Sequence, residues 1–170
     1  IQGVGLNPIN RLVKALIRDD LNPLPIFVAS LKDPLCQATI EAIFKEHPPT
    51  VILNSTAFSV NSLNSEKEAP DNPLTSSAAN KAPVFQVIFS SSTEEVWEAE
   101  LNGLSGRDIA MNVALPEVDG RVLSRAVSFK GESFFDNVTE CSITTYRARG
   151  DRIAFVSSLT KNWCALRQVK

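Results

Sequence analysis

The chain has 170 residues, 44% of them hydrophobic, with a formal net charge of −2 and a sequence pI near 5.5. That is enough apolar material for one domain with a real core, since chains of this size bury roughly 70% of the surface they expose when unfolded. The basic residues are scattered instead of forming a stripe, which excludes nucleic acid and anionic membrane as expected partners, and no apolar run approaches the ~20 residues of a membrane span.

Ile1 stands where an initiator Met would be and no signal peptide follows, so an excised cytoplasmic segment is expected. Asn7 can cap a helix with Pro8 at its first position, and Ile9, Leu12, Val13, Leu16 and Ile17 recur at helical spacing, an amphipathic helix ending before Pro23. Ile26-Phe27-Val28-Ala29 is a short apolar run between prolines and polar residues, the pattern of a strand buried on both faces. Asp33-Pro34 repeats the cap-then-proline start, and Cys36, Ile40, Ile43 and Phe44 form the next stripe before Pro48-Pro49. His47, the single histidine, falls at that helix end, where a cation favours the dipole. Cys36, Cys141 and Cys164 lack the paired spacing of structural zinc and read as reduced thiols of a cytosolic protein.

Val51-Ile52-Leu53 makes a second strand, so strand, helix and strand predict a parallel βαβ unit with a right-handed crossover. Residues 61–82 are polar and irregular and read as a surface loop or insertion. Val84 to Phe89 is a third strand, and Ser92-Thr93-Glu94-Glu95 is a capping box with Ser92 as cap, opening a helix through Trp97 and Leu101. Ser105, with Asp108 three residues on, caps a short helix expected to stop at Pro116. Val122 to Phe129 alternates with Arg125 intruding on the apolar set, which predicts an edge strand or a salt bridge. Thr139 to Arg147 is another strand candidate, and Asp151 caps a final helix with Ile153, Val156, Thr160, Trp163 and Leu166 as its stripe.

These elements predict one α/β domain over 1–170, three-layered and Rossmann-like, with a mostly parallel sheet flanked by helices. Ligands of such sheets sit beyond the carboxyl ends of the strands. Those ends are expected to carry Ser30 and Lys32, then Asn54 and Thr56, then Ser90, Ser91 and Ser92, a polar rim suited to carboxylate or amide substituents. No Gly-rich phosphate loop follows the first strand, so a nucleotide is disfavoured there. Chemistry concentrates at Pro116-Glu117-Val118-Asp119-Gly120-Arg121. Two carboxylates follow a proline in a stiff turn, and in an extended chain Glu117, Asp119 and Arg121 share one side. With one histidine and no clustered thiols, no complete metal site is expected within the chain.

The stretch Ala114-Leu-Pro-Glu-Val-Asp-Gly120 resembles the ALPE-hydrophobic-DG signature in the large subunits of tetrapyrrole metal chelatases, which insert cobalt or magnesium. Two longer stretches, Leu21 to Pro34 and Leu104 to Lys130, are more similar to the cobalt-inserting subunits. Those subunits are much longer, so this chain resembles an internal piece. The resemblance implies insertion of cobalt into hydrogenobyrinic acid a,c-diamide, a step of cobalamin synthesis, with ATP hydrolysed by separate AAA+ and adaptor subunits and no cofactor held by the piece itself. On that implication Glu117 is the first candidate base or metal relay and Asp119 the second. Ser30, Lys32, Asn54, Thr56, Ser91 and Arg121 become candidate contacts to the corrinoid, and the isolated piece is expected to be inactive. A non-catalytic scaffold domain and a magnesium chelatase subunit are the alternatives.

Overall fold

A computed structural model describes residues 6–56, 72–99, 104–118, 120–138 and 140–168. Helix α1 (Leu6–Arg18) buries Pro8, Leu12, Ala15 and Leu16. Helix α2 (Pro34–Glu46) starts as expected: the Asp33 carboxylate accepts from the N–H groups of Leu35 and Cys36, and Pro34 opens the helix. His47 is its C-cap residue. Strand β1 (Ile52–Asn54) leads, past residues 57–71, to a 3-10 turn (Ser77–Ala79) and then to β2 (Val84–Thr93). Three helical pieces follow: α3 (Glu94–Ala99), α4 (Gly106–Ile109) and α5 (Leu115–Val118), the last two joined by a π-helical turn (Ala110–Ala114). Strands β3 (Val122–Asp136) and β4 (Cys141–Ala148) and helix α6 (Gly150–Gln168) complete the chain.

The four strands form one sheet in the order β1-β2-β3-β4, parallel except for the antiparallel β3–β4 pair. Among the described residues this is a mixed α/β fold with a mostly parallel sheet, and its strands follow sequence order without the reversal that gives doubly wound sheets their switch point. β2 is central and its residues from Val84 to Ile88 are all buried, which is why its sequence is a near-continuous apolar run. Alternate residues of β2 meet different helices. Val87 packs with Val127, with Leu12 and Leu16 of α1 and with Val156 of α6, whereas Val84 lies in a second cluster with Ile40 and Phe44 of α2. Ile88 joins Ala126 and Phe129 in a third, against which Trp97, Leu104 and Val113 pack. Arg167 near the end of α6 fastens that helix by donating to the carbonyls of Lys81, Asn80 and Thr50.

Several expectations are corrected. Residues 26–29 are not a strand: Phe27 is 70% exposed, and only Val28 and Leu31 reach the α2 cluster. A four-residue apolar run between prolines has the composition of a strand, but a strand also needs a neighbour to bond, and this segment lies outside the sheet. The βαβ unit built on it is therefore absent. The three parallel strands are instead β1, β2 and β3. Of the expected surface loop, residues 61–71 lie outside the described residues, while in 72–82 Leu74, Ala79 and Ala82 are in the α2 core cluster and Thr75, Ser77, Asn80 and Lys81 stay exposed. The α3 cap is Thr93, not Ser92: β2 extends to Thr93, which still pairs with Lys130 past a register shift after Phe89, and the Thr93 hydroxyl accepts from the Val96 N–H at 3.4 Å. Asp151 lies inside the first turn of α6, where its charge suits the dipole, and it pairs with Arg149. Arg125 is on a central strand instead of an edge, and its guanidinium stacks on the Phe155 ring at 4.1 Å.

Candidate functional site

The polar residues expected at strand ends separate into two knots along the even-numbered side of β2. The first surrounds Gln86. Its Oε1 accepts from Asn54 Nδ2 at 2.8 Å and from Arg121 Nη1 at 3.3 Å, and its Nε2 donates to the Thr56 carbonyl at 3.0 Å. The same carbonyl accepts from Asn54 Nδ2 at 3.1 Å and Arg121 Nη1 at 3.2 Å. Asn54, Gln86 and Arg121 are all buried, so these bonds replace water that the side chains have lost. Asn54 and Thr56 do come together at the end of β1, with Arg121 beside them, but they are bonded to one another, Asn54 and Arg121 buried and Thr56 half-buried. Ser124 extends the knot by donating to the Gln86 carbonyl at 2.7 Å.

The second knot is centred on Asp108. Its carboxylate accepts from Ser90 Oγ at 2.7 Å, from Ser91 Oγ at 2.9 Å and from the Ser91 N–H at 3.1 Å, with Asn112 Nδ2 at 3.4 Å. Ser105 caps the helix from below by accepting the Asp108 N–H at 3.1 Å. Asp108 is 3% exposed, and this set of donors is what lets an acid sit there. Ser91 is therefore engaged with Asp108, and Ser92 donates its N–H to Ser90 Oγ. Ser30 and Lys32 lie elsewhere, in the loop before α2, where the Lys32 N–H donates to Ser30 Oγ at 3.1 Å in a local turn.

The helical stretch 106–118 joins the two knots, and it does not stop at Pro116. The π turn makes the difference: the Leu115 N–H reaches back to the Ala110 carbonyl, a wider turn than an α-helix makes. A proline just beyond it donates no N–H, and such a widened turn relieves the clash its ring makes with the preceding turn. Pro116 is fully buried there. The stop comes four residues later. Gly120 has φ +73°, its N–H donates to the Glu117 carbonyl at 2.9 Å, and the Arg121 N–H donates to the Pro116 carbonyl at 3.3 Å, the two bonds of a Schellman cap. The cap turns the chain sharply into β3 and sends Arg121 inward. Glu117 stays outside: it is exposed, and its carboxylate makes no hydrogen bond or ion pair with the described residues. Glu117 and Arg121 thus occupy opposite environments, not one shared side. Asp119 lies outside the described residues.

A separate charged cluster forms where α3 meets the start of α6. Arg149 bridges Glu94 and, at 3.1 Å, Asp151. That contact with Arg149 is the main reason the Asp151 carboxyl is held below its usual range. Glu95 is also lowered, first by its own backbone N–H at the helix start and then by the Thr93 hydroxyl. Arg152 lies 4.1 Å over Trp97, and burial lowers its pKa. Burial raises that of the Cys164 thiol. No group of three or more His, Cys, Asp or Glu side chains is arranged to hold a metal among the described residues.

Sequence reasoning passed over Gln86, and it read Asp108 only as the acid of a helix start and not as the centre of a knot. Both had a signal: a lone amide inside the run Val84-Phe-Gln-Val-Ile-Phe89 must find buried partners, and an acid three residues after a cap serine marks a helix start. The Trp97–Arg152 contact had none, because its members come from distant segments.

A profile of CobN/Magnesium Chelatase proteins matches residues 3–170. The chain is 41% identical over 170 residues to the aerobic cobaltochelatase subunit CobN of a Sinorhizobium species, covering 100% of this chain and 13% of that protein. Against the protein of the same name from Pseudomonas aeruginosa the identity is 37% over 159 residues, 93% of this chain and 12% of that one. Among solved structures, the catalytic subunit of cobaltochelatase from Mycobacterium tuberculosis superposes with a TM-score of 0.73 over 98% of this chain and 14% of that one, at 24% identity, a likeness of fold. The chain spans about an eighth of the length of these curated relatives.

Proposed function

This chain belongs to the CobN/Magnesium Chelatase family, and we propose that it is a domain of the large, tetrapyrrole-binding subunit of an ATP-dependent cobaltochelatase. The reaction inserts cobalt into hydrogenobyrinic acid a,c-diamide in cobalamin synthesis, forming nitrogen–metal bonds, in the cytoplasm. ATP is hydrolysed by AAA+ and adaptor partner subunits, and the domain alone neither hydrolyses ATP nor inserts metal. The observation that carries this reading is the 41% identity along the whole chain to a cobaltochelatase subunit, which also favours cobalt over magnesium.

Insertion displaces the proton held among the ring nitrogens and strips water from the metal ion, so a carboxylate beside the macrocycle serves as proton acceptor or as a transient ligand that hands the metal on. Glu117 is the residue we assign to that work. Its carboxylate is exposed and has no partner among the described residues, and its backbone is anchored by a buried proline and a Schellman cap, so its basic oxygens are not consumed by the fold. Asp119 is the second candidate. Lys32 and Ser30 are exposed and suit the carboxylate and amide arms of the corrinoid. Asn54, Thr56, Ser91 and Arg121 act one layer back, setting the shape of the strand ends through the two knots.

One observation favours a second reading, a scaffold domain that positions other parts of the enzyme. Most of the strand-end polar groups are already bonded to one another, which leaves few for a ligand. The test is cobalt insertion by the full-length subunit combined with its ATPase partners, ATP and the diamide. Absence of cobalt insertion, or preference for magnesium and a porphyrin, overturns the reading.

A further inference from the structure

The β3–β4 hairpin outruns the sheet. Register with β2 ends where Thr93 meets Lys130, but β3 continues to Asp136, paired with β4 alone. At about 3.3 Å per residue that leaves a two-stranded arm of roughly 20 Å. A bulge separates the arm from the sheet, since the β3–β4 register shifts between Lys130 and Ser133. The bend is tight enough that a Cβ on Gly131 would lie 2.6 Å from Thr145 Oγ1.

The arm is apolar where it should be polar. Phe134 and Phe135 are 53% and 60% exposed, and Val138 beside the turn is 90% exposed. Consecutive strand residues point to opposite faces, so the two phenylalanines flank the arm on both sides, Phe134 opposite Ile143 and Phe135 opposite Ser142. An arm folded back onto its own domain would hide one of them. Isolated two-stranded hairpins are marginal in water, and exposed apolar strands invite unwanted pairing. A surface of this kind calls for a cover.

We propose that this arm docks into another segment of the same large subunit and locks the domain to it. This inference rests on the reading that the chain is one part of such a subunit. Two observations select that occupant. The curated relatives carry about seven-eighths of their length outside the matched region, so most of what surrounds the domain is covalently attached to it. And three apolar side chains make too small a patch for a separate protein or a second copy, which need on the order of 1,000 Å² of interface, whereas a tethered segment at millimolar effective concentration needs far less.

The probe is a thiol at the arm tip. In the full-length subunit carrying Val138→Cys, without partner subunits, modification at position 138 by a small maleimide is read by peptide mass spectrometry. Labelling is expected to be slower than in the same protein unfolded in urea by on the order of tenfold or more, independent of protein concentration. Adding Phe134→Ser and Phe135→Ser should restore fast labelling with the far-ultraviolet circular dichroism unchanged. Fast labelling in the starting variant overturns the proposal. So does protection that appears only with the ATPase subunits, which marks an intersubunit contact, or only at high concentration, which marks a second copy. Cobalt insertion assayed on the same wild-type protein separates the two readings: protection without insertion leaves the arm assignment standing and sinks the chelatase one.

Discussion

Asp108 and Glu117 stand at the two ends of one helical stretch, and their surroundings are opposite. Asp108 is buried and its carboxylate accepts hydrogen bonds from Ser90, Ser91 and Asn112; Glu117 is exposed and its carboxylate makes no bond with the described residues. A carboxylate whose lone pairs are all occupied is part of the fold, because moving a proton or a metal onto it means breaking bonds that hold a helix to a strand. A carboxylate fixed only through its backbone is available for chemistry. The pair teaches that a buried acid bonded on every side serves the fold, whereas the exposed, unengaged one is the acid we propose for chemistry.

The largest expected effect comes from Glu117→Gln in the full-length subunit assayed with its partners. Cobalt insertion should fall about a hundredfold or more, the usual cost of losing a general base, while melting temperature and tetrapyrrole affinity stay at wild-type values. An unchanged insertion rate removes Glu117 from the chemistry and leaves the scaffold reading. Asp108→Ala should do the reverse. It strands the hydroxyls of Ser90 and Ser91 and the Ser91 N–H, so stability of the 170-residue chain should fall by about 3 kcal/mol, lowering the melting temperature by roughly 6–12 °C. Insertion should then decline only with the folded fraction; a loss of activity in a fully folded variant would make Asp108 a participant and erase the contrast.

The smallest effect sharpens the comparison at the turn just after Glu117. Gly120 has φ +73° with nothing within 4 Å of an added Cβ, so Gly120→Ala meets no clash and should cost only about 1–2 kcal/mol of backbone strain. Gly120→Asn should recover much of it, because Asn tolerates the left-handed region. Equal losses for both, measured by urea denaturation, would show that strain is not what the glycine relieves.

Much of this was readable from the residues. Helices α1, α2 and α6 declared themselves through apolar spacing, α2 through its Asp33 cap as well, and β1, β2, β3 and β4 through β-branched or aromatic runs, because those patterns depend on neighbours within a turn or two of chain. The chelatase family signature was equally plain. What failed were judgements about partners. Ile26-Phe-Val-Ala29 has the composition of a strand, but it lies outside the sheet. Arg121 looked like a companion for Glu117 on an extended chain, and a Schellman cap turned it into the interior to meet Gln86 and Thr56. Pro116 looked like a stop, and a π turn carried the helix past it. Local sequence fixes what a segment is able to be, through sterics and periodicity that act over a few residues. Which of those forms it takes, and whether a polar group ends up bonded inside or bare outside, was decided by bonds to residues tens of positions away, and only the assembled fold brings those within reach.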